Sequence, residues 1–411
     1  MSTFTSGEFT NNKAGYVEPR RELNYVSLFS SAGVGCYGFK QEGFKGIVSS
    51  ELIERRLNIQ KANNKLQFSD GYILGDITNS DVQNRLHAAI HKYSKETGDS
   101  EIDVVVFTAP CQGMSVANHK KCDSTLDRNS LVVEALDVVS RIRPRFFIAE
   151  NVRSFLRTKC VDRDEVKTIA EAFDDWLSTE YLYTSKVLNF KDYGANSSRT
   201  RTLVVGVRKD LLCSITPDEL FPQKKCEKTL REIIGHLPSL EEMGMPHRSD
   251  IFHNFKSYRK DMRDWIHEVS PGKSAFDNTD PNKRPHRRCK DGLIVPNVNK
   301  NGDKYKRQRW DNVAPCVHTR NDIMASQNTV HPADDRVFSI RELMIMMNIP
   351  SSFKWVSEDE SLLNNLPVSE KISFLKKHEI NIRQSIGEAV PTVIMREMAK
   401  NIKNASLRID S

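Results

Sequence analysis

The stretch Asp103-Val-Val-Val-Phe-Thr-Ala-Pro-Cys-Gln-Gly-Met-Ser115 joins a run of β-branched residues to a short polar loop that contains a cysteine. Residues 103–108 predict a β-strand, since β-branched and aromatic side chains favour extended backbone. A helical pattern follows at 129–141 and another apolar strand at 145–149. A strand, a helix and a second strand at this spacing predict a unit with two parallel strands.

The same alternation of strands and helices extends along the first half of the chain. It predicts an α/β fold with a doubly wound, mostly parallel sheet, because parallel strands are joined by helices that cover the faces of the sheet. The other strands are expected at 25–30, 46–50 and 72–74, the helices at 36–42, 53–63 and 81–93, and further elements at 165–178, 181–190 and 202–207.

The composition changes near residue 210. Residues 210–335 are rich in Pro, Asn, Asp, Lys and Arg, which indicates a separate loop-rich module. Helical patterns return at 339–347 and 391–404. The sequence therefore predicts a flexible tail at 1–22, an α/β domain at 23–209, a smaller domain at 210–350, and a return to the first domain at 351–411 with a C-terminal helix.

The cysteines and the hydropathy indicate the compartment. The eight cysteines are irregularly spaced, the first twenty residues lack an apolar core, and no apolar run reaches the length of a membrane span. These features predict a soluble protein of the reducing cytoplasm without a disulfide framework.

The positive charge is concentrated in one part of the chain. The net charge is +7, and residues 247–310 contain 16 Lys and Arg against 8 Asp and Glu, so the rest of the chain is close to neutral. A solvated lysine-rich loop is one explanation. The other is a surface for a polyanion, because clustered cations gain from neutralising phosphates.

A glycine-bearing loop follows the first predicted strand. Gly33-Val-Gly-Cys-Tyr-Gly38 fits G-x-G-x-x-G, and Glu51 ends the next strand, where a carboxylate can accept hydrogen bonds from ribose hydroxyls. The pattern fits a dinucleotide-binding dehydrogenase, an adenosylmethionine-binding methyltransferase or a tight turn without a ligand. After the third strand, Asp76 is either an adenine ligand, with Ile77 packed on the ring, or a helix cap.

Three kinds of reactive side chain are expected at one edge of the sheet. Cys111 follows the 103–108 strand, and a thiol presented there can act as a nucleophile. Glu150 ends the next strand, where a buried carboxyl can hydrogen-bond a ring nitrogen. Arg199 and Arg201 open a later strand. Taken singly, Glu150 could be a helix cap and the two arginines could be surface charges. Taken together with Cys111, they predict a catalytic site.

In their order, these residues resemble the signature motifs of the DNA cytosine-C5 methyltransferase family, and the resemblance covers residues 24 to 404. It implies the Rossmann-like fold of S-adenosylmethionine-dependent methyltransferases, with 23–209 as the catalytic domain and 210–350 as the target-recognition domain. The matching segments are Pro110-Cys111-Gln112, Glu150-Asn151-Val152, Arg199-x-Arg201, the cofactor loop Phe29–Gly38, Trp310–Thr319 with Arg336, Arg341 and Glu342, and the last motif, Gln384–Pro391.

The resemblance also implies a role for each motif residue. Cys111 would attack C6 of a cytosine that is flipped out of the duplex, Glu150 would hydrogen-bond or protonate N3, and Arg199 would hold the base edge near O2. Arg201 and Gln112 complete the expected catalytic set. The implied cofactor is S-adenosylmethionine, and its expected contacts are Phe29, Ser30, Ala32, Gly33, Gly35, Glu51, Asp76, Ile77, Pro110, Leu131, Glu388 and Val390.

Some residues depart from the family pattern. Ser27 stands where aspartate is common, and Ser31 and Val34 replace loop glycines. Ser197 replaces a usual glutamine, and Glu388 stands where asparagine is typical. None of these changes removes a group that the reaction requires, but they bear on the loop geometry and on the contact of residue 388 across the cleft.

In this family the interval that carries the basic excess recognises the target. The implied partner is double-stranded DNA bound by a monomer, in the cytoplasm and at the nucleoid of a bacterium or phage, with a companion restriction endonuclease. Lys120 and Lys121 have a second explanation as solubilising charges, and His286 with Cys289 lacks a partner pair for zinc, so no metal is expected. The expected DNA contacts are Ser115, Lys120, Lys121, Arg284, Arg287, Arg288, Lys304, Lys306 and Arg307.

Two other functions use the same motifs. A tRNA cytosine-C5 methyltransferase would keep the chemistry, but the large basic module favours DNA. A catalytically silent DNA-binding relative would have no use for Cys111, Glu150 and Arg199. A dehydrogenase leaves the Pro-Cys-Gln motif unexplained.

Overall fold

The computed structural model describes residues 21–110, 124–291, 293–297 and 301–410, and the fold is given for these residues. Most of the strands belong to one central sheet, and the others form small hairpins. The strands are β1 (Asn24–Leu28), β2 (Lys45–Glu51), β3 (Tyr72–Leu74), β4 (Val104–Phe107), β5 (Phe146–Val152), β6 (Lys159–Asp162), β7 (Glu165–Thr168), β8 (Tyr181–Asn189), β9 (Thr200–Arg208), β10 (Pro246–His247), β11 (Asp250–Asn254), β12 (His286–Arg288) and β13 (Ile294–Pro296).

Helices cover the sheet and continue into the second half of the chain. None of the helices in the described part is both long enough and apolar enough to cross a membrane. The helices are α1 (Tyr37–Gln41), α2 (Glu54–Ala62), α3 (Ser80–Thr97), α4 (Ser124–Ile142), α5 (Ile169–Leu177), α6 (Leu230–Ile234), α7 (Lys260–His267), α8 (Ile340–Met346), α9 (Glu360–Asn364), α10 (Val368–Glu388) and α11 (Thr392–Ile409).

The order of strands in the central sheet is β3-β2-β1-β4-β5-β9-β8. Strands β1 to β5 are parallel, whereas β9 pairs antiparallel with both β5 and β8. The prediction of a mostly parallel α/β sheet is confirmed. The chain runs outward from β1 to β3 and then returns to β4 on the other side of β1, so the loops after β1 and β4 diverge. In open α/β sheets a crevice for ligands forms at such a point.

The two faces of the sheet bury alternate residues of each strand. On β4, Val105 and Phe107 pack toward α3, α4 and α5, while Val104 and Val106 pack toward α1 and α11. Helices α1 and α11 pack closely against each other. A Cβ atom on Gly38 of α1 would lie only 2.4 Å from the backbone nitrogen of Arg396 in α11. The C-terminal helix α11 thereby belongs to the core on one face of the central sheet.

Several elements were not predicted, among them β6, α6, α7 and α9, and two further differences concern α5 and α10. The predicted element at 165–178 consists of β7, paired with β6, and α5. The strand gives way to the helix at Thr168, because the side chain of Thr168 caps the start of α5 in a capping box with Glu171. In addition, α10 was not predicted as a helix. The predicted domain limits stay a prediction; α10 packs against α8 in a core that also includes Ala32 and Val34 of the cofactor loop.

A buried charged network lies in the segment that leads into α8. Arg336 donates to both carboxylate oxygens of Glu342 at 2.8 Å, and each side chain is only 1% exposed. His331 lies 3.4 Å from the same carboxylate, and its Nδ1 accepts a hydrogen bond from the backbone nitrogen of Asp334. Burial lowers the pKa of His331 to about 4, despite the nearby Glu342. The folded protein therefore holds this imidazole neutral.

We predict that His331 makes the protein less stable in mild acid. The unfolded chain protonates the imidazole below about pH 6.5, whereas the folded chain does not until about pH 4, so the free energy of unfolding falls as the pH is lowered through this window. In urea unfolding series, His331→Asn should reduce the slope by up to about 1.4 kcal/mol per pH unit. Replacement of the exposed His236 by Asn is the control; equal slopes for both variants would contradict the prediction.

Candidate active site

A cavity opens where β1 and β4 end. Its wall combines the loop after β1, the end of β4 and the segment that joins α10 to α11. Five of the predicted cofactor contacts lie in this wall, namely Ser30, Ala32, Gly35, Glu388 and Val390. The wall also contains Ser27, Leu28, Ser31, Val34, Cys36, Val106, Thr108, Ser385, Ala389 and Met395.

Two carboxylates hold the turn of the cofactor loop at Ser31. Glu51, at the end of β2, accepts a hydrogen bond from the backbone nitrogen of Ser31 at 2.7 Å and another from that of Ile53 at 2.9 Å. Glu388 accepts one from the Ser31 hydroxyl at 2.8 Å. The backbone of Ser31 is left-handed, with φ 44°, so these contacts fix a conformation that a non-glycine residue rarely adopts. Burial raises the pKa of Glu51, although the hydrogen bonds that its carboxylate accepts from the backbone of Ile53 and Ser31 act to lower it.

A polar network around Gln60 and Lys65 holds the same loop. The amide nitrogen of Gln60 donates to the Ser30 hydroxyl at 2.8 Å and to the Ser31 carbonyl at 2.5 Å. Buried Lys65 donates to Gln60 and to Ser49, and the desolvation of the ammonium group lowers the pKa of Lys65. Because every partner here is a neutral oxygen, the network positions the loop without adding a counter-charge.

The other predicted cofactor contacts lie outside the cavity wall. Asp76 is exposed, and its carboxylate accepts hydrogen bonds from the backbone and hydroxyl of Thr78, while Asn79 caps α3. Ile77 is buried in the core of the sheet. Phe29 and Leu131 pack against the same core, and Phe29 is left-handed like Ser31. A Cβ atom on Gly33 would lie 3.0 Å from Gln60, so this glycine serves the close packing of the loop. Pro110 is partly exposed at the end of the segment that follows β4.

Glu150 and Arg201 face each other at the carboxyl edge of the sheet. Glu150 is buried near the end of β5, and its Oε1 lies 3.2 Å from Nε of Arg201 near the start of β9. The two ends meet because β9 is antiparallel to β5, with Val152 paired to Arg201. A carboxyl group and a guanidinium are thus placed beside the segment that leads to Cys111.

Asn151 fixes that segment. Its amide nitrogen donates to the carbonyl of Ala109 at 2.9 Å, and the hydroxyl of Thr108 donates to the carbonyl of Phe29 at 2.9 Å. The loop after β4 is therefore tied both to β5 and to the loop after β1. Cys111 and Gln112 follow directly but lie outside the described residues.

Arg199 links the start of β9 to two distant segments of the chain. Its side chain is 5% exposed, and its guanidinium donates to the carbonyls of Val317 at 3.3 Å, Gly387 at 3.2 Å and Glu388 at 3.5 Å. Burial together with the charges of Arg199 and Arg201 lowers the pKa of nearby His318. The guanidinium is held where β9 begins and the 310–319 segment meets the end of α10.

The structure corrects the prediction that Arg307 contacts DNA. Arg307 is 4% exposed, and its guanidinium donates to five backbone carbonyls of residues 266–269 and 331–334 and to the carboxylate of Asp335. Each of its three guanidinium nitrogens is therefore engaged within the protein, and the buried group is not available to a phosphate.

The other predicted DNA contacts are differently placed. Arg287 is exposed on the β12–β13 hairpin, which also carries Arg288. Arg284 and Lys304 are partly exposed, as is Lys306, which pairs with Asp303 at 3.1 Å. Within the described ranges, no group of three His, Cys, Asp or Glu side chains is arranged to hold a metal ion. The predicted contacts Ser115, Lys120 and Lys121 lie outside the described residues.

The family model for C-5 cytosine-specific DNA methylases matches residues 23–404. The chain belongs to this family. It is a DNA cytosine-C5 methyltransferase, and the resemblance that the motifs predicted is confirmed.

The methyltransferase has relatives of similar length. It is 27% identical to the Type II methyltransferase M1.HgaI of Avibacterium volantium, over 94% of this chain and 99% of that protein. It is 26% identical to the Type II methyltransferase M1.HphI of Haemophilus parahaemolyticus, over 92% of this chain and 86% of that one. A protein described as a DNA modification methyltransferase of an E. coli prophage has a similar structure, with a TM-score of 0.62 at 18% identity over 94% and 100% of the two chains. This last likeness shows the shared fold.

Several residues of the methyltransferase site were not predicted from its sequence. Asn151 stands inside a quoted motif, so its motif position was a usable signal. Thr108 and Ser385 line the cavity but are common residue types with no local pattern. Arg56 lies on α2 and contacts Glu388, which is 332 positions away in the chain. No local sequence pattern predicts a contact between such distant residues.

We predict that Gly387→Ala destabilises the methyltransferase. A Cβ atom there would lie 2.5 Å from the carbonyl group of His318, so α10 and the 317–319 segment would have to separate. The free energy of unfolding should fall by about 2 kcal/mol in urea, although alanine favours helix. The control is Gly302→Ala, since a Cβ atom at Gly302 meets no atom within 4 Å. An unchanged or higher stability for Gly387→Ala would contradict the packing argument.

Proposed function

We propose that this methyltransferase transfers a methyl group from S-adenosylmethionine to C5 of a cytosine within one short sequence of double-stranded DNA. The observation that carries the proposal is the meeting of three elements at one edge of the sheet: the segment leading to Cys111, the Glu150–Arg201 pair, and the cavity formed by the cofactor loop.

The cavity fits a cofactor with both apolar and polar parts. Its wall combines apolar Leu28, Val106 and Val390 with hydroxyl groups and the carboxylate of Glu388. A Cβ atom on Gly35 would lie 3.2 Å from the side chain of Val390, so the glycine allows the loop to pack closely against Val390. Bound here, S-adenosylmethionine supplies an electrophilic methyl group on its sulfonium. We assign its binding to the cofactor loop, Glu388 and Val390.

The side chains around the base would then act on the cytosine ring. The thiolate of Cys111 forms a bond to C6 and makes C5 nucleophilic. Glu150 hydrogen-bonds N3 when it carries a proton, and the positive charge of Arg199 stabilises the electron density that moves onto the ring. Methyl transfer to C5 would leave the cofactor as S-adenosylhomocysteine; water would then accept the C5 proton, and the electrons of that C–H bond would restore the C5–C6 double bond and expel the Cys111 thiolate. This chemistry requires the base to be flipped out of the duplex.

We assign recognition of the target to the basic segment 247–310. Arg284, Arg287, Arg288, Lys304 and Lys306 remain candidates for contacts with phosphate and base edges. Relatives named Type II methyltransferases favour a restriction–modification context with a companion endonuclease, and we propose that the protein acts on DNA as a monomer.

We predict that Cys111→Ser abolishes methyl transfer to duplex DNA and leaves DNA affinity within about 3-fold of the unaltered protein, because an alcohol is a far weaker nucleophile than a thiolate. Transfer is measured with S-adenosylmethionine labelled on the methyl group, and affinity by a gel-shift titration. Cys213→Ser, at an exposed position, is the matched control and should keep full activity. Normal turnover by Cys111→Ser would refute the mechanism.

We predict that replacing Arg287 and Arg288 by Ala weakens DNA binding and reduces its dependence on salt. Each lost phosphate contact should lower the slope of log K against log salt by about 0.9. The matched control replaces two exposed arginines that lie before β5, Arg141 and Arg143, by Ala, and it should leave the slope unchanged. An unaltered slope in the hairpin variant would place the DNA contacts elsewhere.

A further inference from the structure

A buried guanidinium lies behind the cofactor loop. The side chain of Arg56, on α2, is 1% exposed. Its Nε and one Nη donate to the two carboxylate oxygens of Glu388 at 3.0 and 2.9 Å. The other Nη donates to the backbone carbonyl of Asn381 at 2.9 Å and to the side-chain oxygen of the same residue. The bidentate pair has a defined geometry; the guanidinium is buried while the Glu388 side chain is 36% exposed, so loss of the carboxylate would leave a buried charge on Arg56 without its partner.

Glu388 is the link between Arg56 and the two halves of the site. Its carboxylate accepts the hydrogen bond from Ser31, where the cofactor loop is left-handed. Its backbone carbonyl, like that of Gly387, accepts a hydrogen bond from Arg199. A shift at residue 388 would therefore change both the loop that faces the cavity and the surroundings of the base-binding arginine.

The residue type at 388 agrees with this arrangement. A glutamate presents two anionic oxygens to the guanidinium, whereas a neutral amide such as that of asparagine cannot form a bidentate ion pair with a buried arginine. The glutamate and Arg56 thus form a matched pair in this chain. Arg56 is not part of the cavity wall, and of its hydrogen-bond partners Glu388 and Asn381 it is Glu388 that lines the cavity.

We propose that Arg56 is a positioning residue that, through Glu388 and Ser31, holds the cofactor loop in the conformation that binds S-adenosylmethionine. The inference rests on the proposed cofactor site. Without the guanidinium, the Glu388 carboxylate is free to turn toward solvent, and the Ser31 hydroxyl loses its acceptor, which is one of the contacts that hold the left-handed backbone of Ser31.

The test measures S-adenosylmethionine affinity by calorimetry in Arg56→Gln, Glu388→Gln and the double variant. Each single variant should bind about 10-fold more weakly, and the double variant no more weakly than the worse single one, because the two side chains act as one unit. Arg56→Lys should recover part of the loss. In steady-state assays the KM for S-adenosylmethionine should rise by the same factor, while the KM for DNA stays unchanged.

A matched control separates positioning from general stability. Arg145 is also buried and paired, with Asp103 and Asp410, but it lies at the opposite edge of the sheet. Arg145→Gln should lower the melting temperature and leave the cofactor affinity unchanged. Equal losses of affinity in Arg145→Gln and Arg56→Gln would overturn the proposal.

The remaining outcomes are also decisive. Absence of binding by the unaltered protein would refute the cofactor site itself, whereas normal binding by both the unaltered protein and Arg56→Gln would refute only the positioning role. If Arg56→Gln does not fold, Arg56→Lys and Ser31→Ala decide the question, because Arg56→Lys keeps the buried charge but removes the bidentate pair, and Ser31→Ala removes the hydroxyl that binds Glu388. Unchanged affinity in both of these variants would overturn the inference.

Discussion

The antiparallel pairing of β5 with β9 is the constraint on which the arrangement of the active site depends. Parallel strands end at one edge of a sheet, and a further parallel strand would begin at the opposite edge. Since β9 runs the other way, Arg201 near its start lies beside Glu150 near the end of β5, and Arg199 directly precedes the strand. The acid and the cations thus reach the edge at which β4 ends, and Asn151 ties the segment after β4 to the same place.

The segment that joins α10 to α11 completes the site from the far end of the chain. It contributes Glu388 and Val390 to the cavity, and its carbonyls accept hydrogen bonds from Arg199. Close packing holds this segment, because Gly387 leaves no room for a side chain against His318. The cofactor loop, the start of β9 and the 317–319 segment therefore meet in a few residues, and a small displacement of these residues would alter all three.

How far the sequence predicted this structure depends on the range of the contacts. Strands β1 to β5 and their helices were predicted from periodicity, since burial on the sheet imposes a local pattern. The site residues Glu150, Arg199 and Arg201 came from motif order. The direction of β9 and the partners of Arg56 depend on contacts between distant parts of the chain, and these leave no local pattern.

The basic module shows the same limit. Its excess of charge was visible in the sequence, but charge alone does not separate an exposed arginine from a buried one. Arg287 lies exposed on a hairpin, whereas Arg307 is surrounded by carbonyls that compensate for its burial. A polar, loop-rich segment needs such internal donors, because its backbone carbonyls are only partly satisfied by regular secondary structure.

The most direct test of the account is the transfer of labelled methyl from S-adenosylmethionine to duplex DNA and, in parallel, to unmodified tRNA, followed by mapping of the methylated positions. The account predicts label in the DNA alone, at C5 of a cytosine in one recurrent short sequence. Label in tRNA alone would contradict the assignment of the basic module to DNA, and label at a position other than C5 would contradict the proposed chemistry.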